Sequence, residues 1–231
     1  MKSKKKPIIV SVILARGNSK AIPRKNIIDL NGKPLISYSI SELHKSNVDE
    51  IWVSTDDEDI IKVSEQYGAK ILRRPESLCR EYSSSESGLL HFVNNVYKKF
   101  DILVFVQCTS PLIKFKYINQ GIEMIKSGKY DSIFSCYIQH FLPEWSLNLK
   151  PLNWGSKLKY WLTGKPEQYP RRQDKETKLL DIGMFYVIKK EILLKNKFRL
   201  WGKIGYVEIP LIDSFQIDEM EDLYLVEKLM K

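Results

Sequence analysis

The sequence has few cysteines, which stabilise small secreted domains and zinc sites, and it lacks the long apolar segments of membrane proteins. It contains only three cysteines, Cys79, Cys108 and Cys136, which are far apart and form no CxxC pair. We therefore expect free thiols in a reducing cytosol rather than disulfides or a zinc site. No segment approaches the roughly 20 apolar residues that a membrane-spanning helix requires. The composition thus predicts a soluble, cytoplasmic protein without a membrane partner.

The sequence also lacks the motifs of nucleic-acid-binding proteins, although its formal net charge is +9. Lysine and arginine are spread along the chain, and no helix-turn-helix, zinc finger or aromatic-basic pattern is found. An anionic small-molecule substrate explains part of the excess charge, and ordinary solvated surface explains much of the rest. We expect no nucleic-acid partner.

Residues 1–15 have a basic start and an apolar continuation, as secretory signals do. The apolar stretch is short, no small-x-small cleavage pattern follows, and Arg16 stands where cleavage would be expected. We therefore interpret residues 8–14 as the first strand of a folded domain.

Apolar segments and helical patterns alternate along most of the chain. Strands are predicted at 8–14, 51–54, 69–72, 102–106, 132–137, 184–188 and 205–209, and helices at 34–43, 59–67, 85–98, 117–125 and 220–230. This alternation predicts an α/β fold with a mostly parallel, doubly wound, Rossmann-like sheet. The 231 residues, 43% of them hydrophobic, fit a single domain spanning 1–231.

The alternation stops at about residues 139–170, where the chain is rich in Trp, Tyr, Pro, Lys and Asn without a clear period. A long surface loop is one interpretation. The segment contains Trp145, Trp154 and Trp161. Three tryptophans exposed to water on a loop would be an unfavourable apolar surface. This favours an interface that covers them.

A basic loop follows the first predicted strand. It contains Arg16, Lys20, Arg24 and Lys25, and Gly17 allows the backbone to approach a ligand closely. A solvated basic loop is the alternative interpretation. The density of cations directly after a buried strand favours a polyphosphate site at the carboxyl end of that strand.

Seven sequence blocks occur in order along nearly the whole chain: LARGNSKAIPRKN (14–26), NGKPLISYSI (31–40), VSTDDEDI (53–60), RRPESL with SSSESGLLH (73–78 and 83–91), VQCTSPLI (106–113), PRRQD (170–174) and IDEMEDL (217–223). Together they resemble the acylneuraminate (CMP-sialic acid) cytidylyltransferases, which activate sialic and related nonulosonic acids with CTP. The resemblance implies a nucleotide-diphospho-sugar transferase fold. Because family members dimerise through the region that corresponds to residues 139–170, it also implies a homodimer.

The resemblance assigns the nucleotide-binding residues. Arg16 and Lys25 match residues that hold the triphosphate during catalysis, and Lys20 is a further expected contact. Asn26 matches a loop residue near phosphate and sugar. The cytosine and ribose are expected to contact four residues of the next loop, Arg74, Ser83, Ser84 and Ser85. Serines before a helix are also common N-caps, and both roles can hold together.

The acceptor sugar is expected to contact four residues, Gln107, Arg171, Arg172 and Gln173. The family commonly carries a basic residue and an Asn just before a glycine, whereas this chain reads LLDIG at 179–183. This more apolar and acidic lining favours a modified nonulosonic acid over plain N-acetylneuraminate.

The family usually places an Asp-x-Asp pair for Mg²⁺ before its final helix. Asp218 is retained here, but Gln216 replaces its partner, and Asp213 is a further candidate ligand. Asp56 and Asp57 are better interpreted as the acidic start of a helix.

The resemblance implies an enzyme that transfers CMP from CTP to the anomeric hydroxyl of an acidic nine-carbon sugar and releases pyrophosphate. Because Gln216 weakens the metal pair, a non-catalytic protein that binds CTP or a CMP-sugar is one alternative. A synthetase of the CMP-Kdo type, acting on an eight-carbon acid, is another. The TSPL block and the SSSES loop favour the nine-carbon branch.

Overall fold

The computed structural model describes residues 6–97, 99–139 and 178–231. The strands are β1 (Ile9–Leu14), β2 (Asp29–Leu30), β3 (Lys33–Pro34), β4 (Glu50–Thr55), β5 (Lys70–Arg73), β6 (Ile102–Val106), β7 (Ser132–Gln139), β8 (Lys178–Lys189) and β9 (Ile204–Glu208). The α-helices are α1 (Leu35–Lys45), α2 (Glu58–Gln66), α3 (Ser85–Asn95), α4 (Phe115–Lys126), α5 (Lys190–Asn196) and α6 (Met220–Leu229).

Seven of these strands form one sheet in the order β5-β4-β1-β6-β8-β7-β9. β1 pairs in parallel with β4 on one side and with β6 on the other. β8 is antiparallel to both of its neighbours, β6 and β7, while β7 and β9 are parallel to each other. The prediction of a mostly parallel α/β sheet is therefore confirmed.

The strand order reverses at β1. From there the chain first builds outward through β4 and β5, and later returns to place β6 on the opposite side of β1. In open α/β sheets such a reversal leaves a crevice at the carboxyl ends of the two strands, where ligands bind.

The hydrophobic core lies on both faces of the sheet. Alternate residues of β1 point to opposite faces, so Ile9 and Ile13 pack with α1, α2 and α4, whereas Val10 and Val12 pack with α3 and α5. A third cluster, which includes Leu35 and Val226, packs α6 beside α1.

Two features of the carboxyl-terminal half differ from the prediction. β8 begins at Lys178 rather than at 184, and the short helix α5 was not predicted. Residues 178–181 are all exposed, so they lack the buried alternation that identifies a strand. Their strand conformation comes from pairing with β7, whose register shifts between Phe134 and Cys136.

The six residues Trp145, Trp154, Trp161, Arg171, Arg172 and Gln173 lie outside the described part of the chain, as does nearly all of the expected excursion. None of the helices among the described residues is long and apolar enough to cross a membrane.

Candidate functional site

A cavity of about 340 Å³ opens at the carboxyl ends of β1 and β6, where the strand order reverses. Eight residues that the sequence indicated line it: Arg16, Lys25, Asn26, Arg74, Ser83, Ser84, Ser85 and Gln107. Further lining residues were not assigned to the site from the sequence, among them Arg80, Glu81, Phe105, Cys108 and Thr109. Cys108 and Thr109 lie within a quoted block, and the other three lie between blocks. The blocks themselves were therefore the available signal.

The basic loop is held in place by Asn26. Its amide nitrogen donates to the carbonyl of Arg16 at 2.8 Å, and its oxygen accepts from the Cys108 thiol at 2.9 Å. Burial raises the pKa of Cys108 to about 12, so this thiol keeps its proton and remains a donor. Asn26 therefore joins the loop after β1 to the end of β6 and positions Arg16.

Lys25 connects this loop to the segment before α6. Its Nζ donates to the carbonyl of Ile217 at 3.0 Å and to Oδ1 of Asp218 at 2.8 Å. Because the lysine side chain is only 14% exposed and lines the cavity, its charge is available at a defined position. Residues almost 200 positions apart thus form one edge of the site.

The other cations of the loop differ in their surroundings. Arg16 donates from Nη1 to the carbonyl of Arg80 at 3.2 Å. Lys20 is 77% exposed and pairs with Glu81 at 2.6 Å, so it lies at the mouth of the cavity. Arg24 pairs with two carboxylates of the α2 start and belongs to the solvent-facing surface.

Asp57 caps α2, since its side chain accepts from the backbone N–H groups of Asp59 and Ile60. The interpretation of this acidic residue as a helix start is confirmed. The cap also constrains Gly17, because a Cβ atom built there would lie 2.6 Å from Oδ2 of Asp57.

Gly17→Ala is therefore expected to displace the basic loop from the α2 cap. We expect the KM for CTP, the substrate that the sequence resemblance implies, to rise about tenfold, since one misplaced loop would weaken several of the expected phosphate contacts. Gly32→Ala is the control: Gly32 has φ +79° in the exposed β2–β3 turn, so this change should lower the melting temperature without altering the KM. Equal KM values for both variants would contradict the role given to Gly17.

Arg74 is a buried cation, only 7% exposed, that lines the cavity. Its Nε donates to the sulfur of Cys79 at 2.9 Å. Burial raises the pKa of this thiol, so it stays neutral and does not balance the guanidinium. Within the described part of the chain no carboxylate forms an ion pair with Arg74. A buried guanidinium without an ion-pair partner is costly, which indicates a ligand that supplies acceptors.

The three serines of the next loop start α3. Ser84 is the N-cap and accepts from the N–H of Ser87 at 3.1 Å, and all three serines line the cavity. The N-cap role is thus observed. A cap does not prevent the exposed edges of the loop from contacting a nucleoside.

The side-chain amides of Gln107 and Gln216 both lie close to Gly183. A Cβ atom built on Gly183 would lie 3.5 Å from the amide of Gln107 and 3.4 Å from Nε2 of Gln216. The glycine has φ +66°, a conformation that other residues rarely adopt. Gln216 and the predicted acceptor residue Gln107 therefore border the same glycine.

The family of the chain follows from a comparison with known protein families. Residues 10–197 match the model described as Cytidylyltransferase, and this stretch contains the whole lining of the cavity. The chain belongs to the cytidylyltransferase family.

Among named relatives, this cytidylyltransferase is 35% identical over 225 residues to N-acylneuraminate cytidylyltransferase A of Danio rerio, covering 94% of the chain and 49% of the relative. It is 31% identical to the pseudaminic acid cytidylyltransferase of Campylobacter jejuni subsp. jejuni serotype O:23/36 (strain 81-176), covering 95% of both. The chain thus spans about half the length of the fish relative and nearly all of the bacterial one.

The fold of this cytidylyltransferase is also found in solved structures. CMP:2-keto-3-deoxy-manno-octonic acid synthetase complexed with CTP superposes with a TM-score of 0.71 at 19% identity, covering 96% of this chain and 98% of that one. The 4-diphosphocytidyl-2C-methyl-D-erythritol synthase of Anaerococcus prevotii superposes with a TM-score of 0.62 at 14% identity, covering 97% and 98%. At such identities the likeness concerns the fold alone.

Asp213 is engaged elsewhere in this cytidylyltransferase. Both of its oxygens accept from Nζ of Lys114, at 2.8 and 2.7 Å, and one also accepts from the hydroxyl of Tyr117 at 2.6 Å. These partners are more than 90 positions away in the sequence, so their approach could not be read from it. We therefore leave Asp213 out of the candidate metal ligands.

Asp218 is the remaining carboxylate candidate for a magnesium ion. Within the described residues, no group of three or more His, Cys, Asp or Glu side chains is arranged to bind a metal. Asp218 is 66% exposed and lies beside Lys25 at the edge of the cavity. Because Mg²⁺ in nucleotide sites is commonly held by one or two carboxylates together with substrate phosphates, a single carboxylate is sufficient.

Proposed function

We propose that this protein transfers CMP from CTP to the anomeric hydroxyl of an acidic nonulosonic sugar and releases pyrophosphate. The observation that carries the proposal is the cavity at the sheet reversal, where Arg16, Lys25 and Arg74 meet Gln107. The names of the relatives, which act on N-acylneuraminate and pseudaminic acid, support a nine-carbon acceptor.

The cations divide between the two parts of CTP. Arg16 and Lys25 neutralise the triphosphate, with Lys20 as an outer contact, while Arg74 and the loop of Ser83, Ser84 and Ser85 hold the cytidine. The sugar hydroxyl gives its proton to water and forms a bond to the α-phosphorus, while the bond from that phosphorus to the α,β-bridging oxygen breaks and its electron pair leaves with pyrophosphate. Fixed positive charge favours this step because negative charge collects on the leaving pyrophosphate.

Asp218 would hold Mg²⁺, which supplies further neutralisation of the phosphate charge when bound. Lys25 keeps Asp218 at its place through the 2.8 Å ion pair, so the carboxylate and the cation act at neighbouring phosphate oxygens. Gln216, the neutral replacement in the metal pair, adds no charge there.

The proposal includes a homodimer formed through residues 139–170, and recognition of the sugar carboxylate and acyl group by Arg171, Arg172 and Gln173. The abundance of tryptophan in the first segment and the cationic PRRQD block support these roles. Sedimentation of the purified protein would test the dimer directly.

The function is tested by measuring pyrophosphate release from CTP and Mg²⁺ with N-acetylneuraminate, legionaminate, pseudaminate and the eight-carbon acid. UTP and ATP are the nucleotide controls. We expect release with CTP and at least one nine-carbon acid. Tight CTP binding without release would favour the non-catalytic alternative, and release with the eight-carbon acid alone would favour the CMP-Kdo type.

A further inference from the structure

A cluster of polar groups surrounds Gly183 beside the cavity. Besides the amides of Gln107 and Gln216, it contains the carboxylate of Asp181, whose Oδ1 accepts from the N–H of Gly183 at 2.9 Å. The side chain of Asp181 is thus folded over the glycine that both amides approach. Two amides and one carboxylate thus lie around Gly183.

Asp181 is held there by a chain of contacts. The hydroxyl of Tyr186 lies 3.0 Å from both carboxylate oxygens. The Tyr186 ring stacks on Phe105, with centroids 5.8 Å apart, and the guanidinium of Arg199 lies 4.6 Å from the same ring. Burial, and secondly the charge of Asp181, raise the pKa of Tyr186 to about 12, so the hydroxyl remains a donor.

This chain of contacts reaches both sides of the cavity. Phe105 lines the cavity, and Arg199 donates to Glu86 in the first turn of α3 at 2.8 Å. α3 starts at the serine loop assigned to the nucleoside. Asp181 is therefore fixed relative to the nucleotide side of the site by rigid aromatic packing, as a specificity residue requires.

The backbone places Asp181 at the edge of the sheet where the cavity opens. The N–H of Gln107, the residue after β6, donates to the carbonyl of Met184. Since β6 and β8 are antiparallel, the residues of β8 before Met184 extend beyond the carboxyl end of β6. Asp181 is three residues further along this extension.

We propose that Asp181 and Gln216 complete, with Gln107, a recognition wall for the acceptor sugar, and that Gln216 belongs to this wall rather than to the metal site. The proposal rests on the proposed function. A carboxylate accepts hydrogen bonds and attracts cations, but it repels the carboxylate of the sugar. The wall therefore selects a substituent with amino or amidino N–H groups and directs the sugar carboxylate elsewhere.

The test compares two nonulosonic acids that differ in one substituent, an amidino group in one and the neutral N-acetyl group in the other. We expect wild-type kcat/KM to be higher for the amidino sugar. Asp181→Asn keeps the shape but removes the charge, so it should lower kcat/KM about tenfold for the amidino sugar and less than threefold for the neutral one. An equal loss for both sugars, or no wild-type preference, would overturn the role of Asp181.

Glu208→Gln is the matched control. Asp181 and Glu208 lie in the same row of the sheet, on either side of Cys136, and Glu208 is exposed. The substitution makes the same change of charge two strands away. It should leave the ratio of kcat/KM values for the two sugars unchanged. If this ratio changes as much as in Asp181→Asn, the preference comes from the overall electrostatic field of the protein and not from Asp181 itself.

Gln216→Ala separates the wall from the metal site. We expect the KM for the acceptor to rise about tenfold, as for the loss of a hydrogen bond to a bound polar group. The Kd of CTP, measured at several Mg²⁺ concentrations without acceptor, should be the same for Gln216→Ala and for wild-type protein at each concentration. A weaker Mg²⁺ dependence of CTP binding with an unaltered acceptor KM would return Gln216 to the metal site and overturn its place in the wall.

Equilibrium binding of the two sugars in the presence of CMP keeps this inference distinct from the proposed function. If wild-type protein binds the amidino sugar more tightly and Asp181→Asn removes the difference, the wall stands even where no pyrophosphate is released. If neither sugar binds to wild-type protein, the wall is rejected.

Discussion

Lys25→Ala is expected to lower kcat/KM for CTP by about 100- to 1000-fold, the range found when one preorganised donor to developing charge is removed. Lys25 is the cation that both lines the cavity and holds Asp218, so its loss removes a phosphate contact and frees the carboxylate beside it. The variant should remain folded, because its main chain lies in a short 3-10 turn and its side chain is not part of the core. Initial rates at varied CTP, with nucleotide binding measured by calorimetry, check the expectation.

Lys20→Ala is the control for Lys25. It removes the same charge from the same loop, but this side chain is 77% exposed and pairs with Glu81 at the mouth of the cavity. Exposed ion pairs contribute little, so we expect a change of less than about fivefold. Near-normal turnover of Lys25→Ala, or equal losses in the two variants, would remove Lys25 from its assigned role.

Arg74→Met is expected to raise the KM for CTP about 100-fold while leaving the free energy of unfolding of the nucleotide-free protein unchanged or higher. The guanidinium is buried without a carboxylate partner among the described residues, so an apolar side chain of similar length removes an uncompensated charge. In wild-type protein, CTP at 100 times its Kd should stabilise the fold by about 2.7 kcal/mol. The same CTP concentration should stabilise the variant far less.

Arg73→Met gives the matched comparison for Arg74. It makes the same change one residue earlier, where the side chain is 67% exposed and pairs with Glu58. We expect its KM for CTP to stay within threefold of wild type. Thermal unfolding with and without CTP measures both variants. If Arg74→Met unfolds at a much lower temperature and binds CTP normally, Arg74 is a structural residue rather than a nucleotide contact.

The part of the fold that the sequence predicted well is the part whose signals are local. β6 was predicted at 102–106, where all five residues are buried, and α4 was predicted from its helical apolar spacing at 117–125. The pattern of apolar residues that identifies such an element lies within the element's own sequence. The predicted helix 85–98 ends earlier, at Asn95, because the next residue, Val96, adopts an extended conformation.

Elements stabilised by distant partners were harder to predict. β8 lies antiparallel between β6 and β7, and its exposed first residues are strand only because they pair with β7. The seven-residue helix α5 buries a single residue, Leu193, which is too little for a periodic pattern. In both cases the deciding contacts are tertiary.

The candidate site shows the same division. By itself the sequence determined the α/β class, the position of a basic loop after β1, and the ordered blocks that indicate the cytidylyltransferase family, because these depend on neighbouring residues. Only the tertiary structure placed Asp213 with Lys114 and Tyr117, buried Arg74 without an ion-pair partner among the described residues, and brought Gln107 and Gln216 to Gly183. Charge compensation and hydrogen bonding depend on distances in space, and residues that are 33 to 99 positions apart in the chain do not specify those distances until the sheet has formed.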